Sequence, residues 1–169
     1  MGDRAWAKLV IGGPVSRETL AELLLDEGYD LDDAEEGYEG REGLYLERRG
    51  GGHVLVLEDC DQLGAMREGL EAALVEAGIA FDRFSNGYAG SWSDSIAAWR
   101  PGMPQVYETV ADANQQHAYG RLDEIRAALA QAGSLDDFRA WFNTTHPDVP
   151  SLEPITWLPG EADAETLNA

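Results

Sequence analysis

The stretch that most limits the possible folds runs from residue 53 to residue 78. A near-continuous apolar run over residues 54–57 predicts a buried strand. Apolar residues then recur with the period of an amphipathic helix, at Leu63, Met66, Leu70, Ala73, Leu74 and Ala77. Asp61 fits the helix N-cap, and Gly78 fits a left-handed terminator. The stretch therefore predicts a β-α unit with one buried helix face.

A similar unit precedes it. Residues 6–11 predict a strand, Ser16 an N-cap, and Gly28 the end of a helix. Further strands are predicted at residues 44–47, 79–84, 92–99 and 105–110. Residues 6–99 thus have the order β-α-β-β-α-β-β, which predicts an α+β fold with two helices on one face of an antiparallel sheet. The narrowest form of this prediction is a ferredoxin-like split βαβ arrangement with extra strands.

The pattern changes after residue 110, which predicts three regions. Residues 1–110 form the sheet domain in this prediction. Residues 111–145 form a helical extension packed on it, with a helix through Leu122, Ile125 and Leu129 and a second one that begins at a Ser134 capping box. Residues 146–169 are proline-rich and acidic, and an extended tail is predicted there.

The charge balance excludes several classes of partner. The chain has 169 residues, 32 acidic against 12 basic, for a formal net charge of −20. Direct binding of nucleic acid or of an anionic membrane needs the opposite sign. Apolar runs are too short to span a bilayer, no secretory leader is visible at the start, and Cys60 has no second cysteine to pair with. These features predict a cytoplasmic protein.

The densest charge lies between residues 26 and 42. Nine acidic side chains stand there against the single Arg41: Asp26, Glu27, Asp30, Asp32, Asp33, Glu35, Glu36, Glu39 and Glu42. Because glycines interrupt the run, we expect a loop with at most a short helical turn around residues 32–36. The spacing of an EF-hand calcium loop is absent. The segment is either a solvated loop or a binding patch.

The sequence contains no established catalytic motif. It lacks a nucleophile elbow, a His-Glu-x-x-His pair and paired cysteines, and its three histidines stand in separate segments. No metal and no cofactor are predicted. The best catalytic candidate is the group Glu58, Asp59 and Asp61, where the predicted buried strand ends and the helix begins. That group supports an alternative function, a small cytoplasmic enzyme or ligand-binding domain.

The functional prediction therefore rests on the charge of the chain. We expect a non-enzymatic interaction protein whose nine acidic side chains bind a basic protein surface, such as that of a nucleic-acid-binding protein. The most specific form is an inhibitor that mimics nucleic acid and blocks a host defence nuclease complex, of the anti-CRISPR or anti-restriction type. This step rests on charge alone. A third possibility is a structural subunit whose charge serves only solubility.

Overall fold

The computed structural model describes residues 5–37, 42–62, 68–86, 94–111, 118–119 and 122–159. Its strands are β1 (Ala5–Gly12), β2 (Pro14–Ser16), β3 (Glu35–Glu36), β4 (Gly43–Arg49), β5 (Gly52–Gln62), β6 (Ala80–Ser85), β7 (Ser95–Trp99), β8 (Tyr107–Ala111), β9 (Ala118–Tyr119) and β10 (Thr156–Leu158). Its helices are α1 (Arg17–Asp26), α2 (Glu68–Glu76), α3 (Leu122–Gln131) and α4 (Leu135–Thr145), with a 3-10 helix over Leu31–Asp33.

Most of the strands form one sheet. Within the described residues it has eight strands, in the order β3-β4-β5-β1-β6-β7-β8-β9. All neighbouring strands are antiparallel except β3 and β4. Strand β5 lies between β4 and β1, and β1 lies between β5 and β6, so the two β-α-β crossovers interleave. The structure confirms the α+β class, whereas the ferredoxin-like assignment stays a prediction.

Helices α1 and α2 cover the same face of the sheet. The core between them and the sheet contains Leu20 and Leu24 from α1 and Leu70 and Leu74 from α2. From the sheet it contains Leu9, Ile11, Leu55, Leu57 and Phe81. The Ser16 side chain caps α1 by accepting a hydrogen bond from the Thr19 backbone, and Gly78 ends α2 with φ +73°. These features confirm the buried faces of α1 and of the described part of α2, the Ser16 cap and the helix end at Gly78.

Strand β5 is longer than the sequence predicts. The predicted strand stops near residue 57 and passes into a helix capped by Asp61, but β5 continues to Gln62, and α2 is described from Glu68. The reason is pairing with β1, in which Ala7 stands opposite Asp59 and Ala5 opposite Gln62. Backbone partners supplied by β1 satisfy this segment, so a local capping signal does not decide its conformation. The Asp61 N-cap prediction is wrong.

The other face of the sheet is partly covered by the chain that follows α4. Val10, Val54 and Val56 form a second core cluster there with Tyr45 and Leu152. The backbone of Glu153 accepts a hydrogen bond from Gly13 at 2.9 Å, and Ile155 donates one to His53 at 2.7 Å. Strand β10 then pairs in parallel with β2. The described part of the tail therefore docks on both β2 and the sheet.

Helices α3 and α4 are much less covered. None of the described side chains of either helix is buried. Ser134 caps α4 by accepting a hydrogen bond from the Asp137 backbone at 3.1 Å, which confirms the predicted N-cap, and its hydroxyl donates one to the Asp137 carboxylate at 2.8 Å. A 3.5 Å contact between Tyr107 Oη and His146 Nδ1 joins the end of α4 to strand β8.

Candidate partner-binding surface

The acidic segment is built into the fold at the edge of the sheet. Asp26 is the last residue of α1 and Glu27 its C-cap; Asp32 and Asp33 lie in the 3-10 helix, and Glu35 and Glu36 form β3. Eight of the nine predicted residues are exposed: Asp26, Glu27, Asp30, Asp32, Asp33, Glu35, Glu36 and Glu42. Glu39 lies outside the described residues. The described part of the segment is a loop with a short 3-10 turn, as expected, and it also contains the two-residue strand β3.

Apolar and backbone contacts hold this segment in place. Leu31 is buried in the same core as α1 and α2. Strand β3 pairs with β4, and the Gly37 backbone donates a hydrogen bond to the Leu46 carbonyl at 3.0 Å. The Asp30 side chain accepts a bond from the Asp32 backbone at 2.9 Å and caps the 3-10 helix. The sequence prediction missed this anchoring because the free backbone groups of β4 attract β3, and a local pattern does not show them.

The acidic side chains extend beyond the predicted run. Glu18, Glu22 and Asp26 stand four residues apart on α1 and are all exposed. Because residues at i and i+4 share one face of a helix, they form a row about 12 Å long. Arg17 Nη2 lies 2.7 Å from Asp32 Oδ1, which places the 3-10 helix beside the first turn of α1. The acidic surface is therefore defined as Glu18, Glu22, Asp26, Glu27, Asp30, Asp32, Asp33, Glu35 and Glu36.

Arg17 and His53 stand next to this surface. Arg17 pairs with Asp32, and His53 Nε2 lies 2.9 Å from Glu36 Oε1. Both contacts are exposed to solvent, where ion pairs contribute little. The sequence reasoning missed Glu18 and Glu22 because it searched for a dense run of acids, although the i, i+4 spacing within a predicted helix was visible.

Glu18 lies in the first turn of α1, where the helix dipole favours a carboxylate, but the other acids of α1 oppose helix stability. Like charges at i and i+4 repel each other, and Glu18, Glu22 and Asp26 form two such pairs. Asp26 and Glu27 also stand at the C-terminus of α1, where the helix dipole favours a cation, and the last turn of α1 has no basic residue. Each effect costs a few tenths of a kcal/mol to about 1 kcal/mol. Folding alone does not explain this charge distribution.

Several basic side chains form ion pairs within the fold. Lys8 Nζ lies 2.8 Å from Glu47 Oε2, and the Arg83 guanidinium lies 3.0 Å from Glu71 and 2.6 Å from Glu108. Burial raises the pKa of Glu47, but hydrogen bonds and charge from Lys8 and Arg49 outweigh it, so that pKa lies below its ordinary value. Cations used in this way are not available to neutralise the acidic surface.

Among the residues of the alternative site, the structure describes the side chains of Glu58 and Asp59. Adjacent residues of a strand point to opposite faces, which separates Glu58 from Asp59. The Glu58 side chain accepts hydrogen bonds from Trp6 Nε1 at 2.6 Å and from the Tyr45 hydroxyl at 2.8 Å, and only 2% of the residue is exposed. Asp61 lies in β5, but its side chain is outside the described part. Glu58 therefore acts as a buried hydrogen-bond acceptor between strands.

Metal ligation, membrane-spanning helices and similarity to known proteins give no further indication of function. The described ranges contain no group of three His, Cys, Asp or Glu residues placed to hold a metal ion. None of the helices described is long and apolar enough to cross a membrane. The chain matches no protein-family model, no curated protein and no solved structure.

Proposed function

We propose that the protein is a non-enzymatic interaction protein that binds a basic protein partner through the acidic surface. The observation that supports this is the placement of the acids against the energetic preference of α1. A partner that supplies Lys or Arg side chains relieves the repulsion between Glu18, Glu22 and Asp26 and complements the helix C-terminus. Binding of such a partner therefore lowers the electrostatic free energy of α1, which is unfavourable in the free protein.

The most specific form of the proposal is an inhibitor that occupies the nucleic-acid groove of a host defence nuclease complex. Each strand of duplex DNA presents one phosphate per about 3.4 Å of axis. The α1 row presents one carboxylate per about 6 Å, from four residues at a 1.5 Å rise. The row alone has about half the linear charge density of one strand, so the acids of residues 27–36 are needed to approach that of nucleic acid.

Capture from host lysate at low and high salt tests the proposal. The double variants Glu18→Gln/Glu22→Gln and Asp33→Asn/Glu35→Gln each remove two charges from the acidic surface. The control Asp148→Asn/Glu153→Gln removes two exposed charges elsewhere, so all three have the same net charge. We expect wild type and the control to capture a basic protein that salt and duplex DNA displace. Both test variants should capture less of it.

Two outcomes speak against the proposal. Equal capture by all four proteins means that the acidic surface is not the interface. Capture of an acidic or neutral protein that resists salt means that charge does not drive recognition. An enzyme based on Glu58 receives no support from the structure, because that carboxylate is enclosed by Trp6 and Tyr45.

A further inference from the structure

The two C-terminal helices enclose an open groove that nothing described in the chain fills. Its cavity is about 490 Å³, within the size range of ligand sites. From α3 it is lined by Glu124, Ala127, Ala128 and Gln131, with Ala132 just beyond, and from α4 by Asp137, Trp141 and Thr145. The residues of each helix are spaced three or four apart, so one face of each helix forms one wall.

The groove walls combine small and aromatic apolar side chains with polar ones. Three alanines leave room along α3, and the Trp141 ring forms the opposite side. That ring stands 5.7 Å from Phe138 and 6.5 Å from Phe142, centroid to centroid. Phe142, beside the Trp141 ring, is 39% exposed. Exposed apolar patches of this kind usually mark an interaction site.

The charge of the lining residues limits which molecules can bind in the groove. The charged residues that line it, Glu124 and Asp137, are both acidic. A second copy of the chain would bring a further net charge of −20 against this one. The stretch at 160–169 is also acidic, through Glu161, Asp163 and Glu165, and therefore does not complement the rim. A basic occupant therefore complements the groove and the net charge of the chain, whereas an acidic one does not.

The length of the groove fits a short helix. Residues 137–145 of α4 span about 12 Å and residues 124–131 of α3 about 10 Å, at 1.5 Å per residue. Helices that dock in grooves place apolar anchors at i, i+3 or i+4, and i+7, which also span about 10 Å. We propose that the α3–α4 groove binds a basic amphipathic helix of another protein. This proposal does not rest on the acidic surface.

The probes are three fluorescein-labelled peptides of equal length, measured by anisotropy against the full chain. One is an amphipathic Lys/Leu helix; the second is a scramble with the same composition; the third replaces every Lys by Glu. We expect the amphipathic basic peptide to bind about tenfold more tightly than the scramble, because only it presents an apolar stripe to the groove. The Glu peptide should not bind.

Two tryptophan variants on α3 test whether the peptide binds in the groove. Ala128→Trp fills the groove, and Ala130→Trp adds the same side chain on α3 at an exposed position that does not line it. We expect Ala128→Trp to weaken the amphipathic peptide about tenfold. Ala130→Trp and the acidic-surface variant Glu18→Gln/Glu22→Gln should leave the preference for the amphipathic peptide unchanged. Circular dichroism of both Trp variants checks that α3 remains folded.

Three results would overturn the assignment. Equal affinity for the amphipathic peptide and its scramble would reduce the binding to general charge attraction. Unchanged affinity in a folded Ala128→Trp protein would place the peptide elsewhere. Dimerisation of the wild type in sedimentation, lost in Ala128→Trp, would assign the groove to a second copy. None of these results alters the test of the acidic surface, which uses different residues.

Discussion

The Arg100 guanidinium donates hydrogen bonds to four acceptors in three parts of the chain. Nη1 reaches the carbonyls of Phe81 at 2.7 Å and Trp99 at 2.9 Å, Nε reaches Pro150 at 2.9 Å, and Nη2 reaches Asp82 Oδ1 at 2.7 Å. A planar guanidinium with fixed donor directions suits this arrangement, whereas a lysine ammonium does not. Arg100 therefore fixes the tail to strands β6 and β7.

Replacing Arg100 should destabilise the protein strongly. Arg100→Met leaves the half-buried Asp82 carboxylate and a buried carbonyl without their donors, and we expect a loss of about 3–5 kcal/mol in the free energy of unfolding. Arg139→Met is the control, because Arg139 is exposed and its contact with Asp136 is 3.5 Å long. We expect the control to change stability by less than about 0.5 kcal/mol. Urea midpoints measure both, and equal midpoints would contradict the role given to Arg100.

The contributions of two carboxylates to the free energy of unfolding should change in opposite directions with pH. The pKa of Glu47 is lowered in the folded state, as described above, so its contribution to stability is present above its unfolded pKa and is lost as pH falls. Burial raises the pKa of Asp82, and the charge and hydrogen bond of Arg100 offset this only in part. Its contribution is present below its unfolded pKa and is lost as pH rises through its folded pKa.

The measurement compares variants between pH 3 and pH 6. The stability difference between wild type and Glu47→Gln should grow in favour of wild type as pH rises. The difference between wild type and Asp82→Asn should move the other way. Two curves of the same slope would show that the environment of one carboxylate has been misassigned.

At the scale of elements, local sequence signals predict most of the framework. The strands β1, β4, β5 and β6, the helix faces of α1 and α2, and the Ser134 cap follow from periodicity and capping. The predicted secondary structure is wrong where pairing with a neighbouring strand determines the backbone conformation. Asp61 is in a strand because β1 pairs with that end of β5, and Glu35 and Glu36 form β3 because they pair with β4. Such long-range pairing cannot be seen in a local pattern.

Helix α2 provides a direct test of the core. Leu70→Ala or Leu74→Ala removes a buried side chain between α2 and the sheet, and each should cost about 2–5 kcal/mol. Leu25→Ala is the matched control, since that leucine of α1 is 67% exposed. We expect little change there. A denaturant midpoint that stays constant in the α2 variants would mean that the buried face of α2 is wrongly placed.

At the scale of the whole molecule, charge repulsion should be measurable as lost stability. Glu22→Gln/Asp26→Asn removes both like-charge pairs on α1 and an acid from its C-terminus, and we expect it to raise the unfolding free energy by a few tenths of a kcal/mol. The control Asp148→Asn/Glu153→Gln has the same net charge and should gain less. The advantage should shrink at 1 M salt, where the screening length falls to about 3 Å. A gain equal in both doubles would assign the effect to total charge alone.

The candidate surface could be predicted only in part. The run of acids from Asp26 to Glu36 is obvious in the sequence, and the structure shows those residues exposed. Glu18 and Glu22 join them because α1 and the 3-10 helix lie side by side, which the Arg17–Asp32 contact fixes. The groove between α3 and α4 was not predictable, because it depends on the angle between two helices and not on either helix alone.

The pairing of β2 with β10 has a consequence for synthesis of the chain. Residues 14–16 acquire their partner strand only when residues 156–158 have been made. At about 5–20 residues per second, the intervening stretch takes roughly 7–30 s to translate. During that time Leu152 is not yet present to cover the face of the sheet that holds Val10, Val54 and Val56. A ribosome translating this message therefore carries an unfinished sheet with an open apolar side for many seconds, which makes the nascent chain a natural client for chaperones.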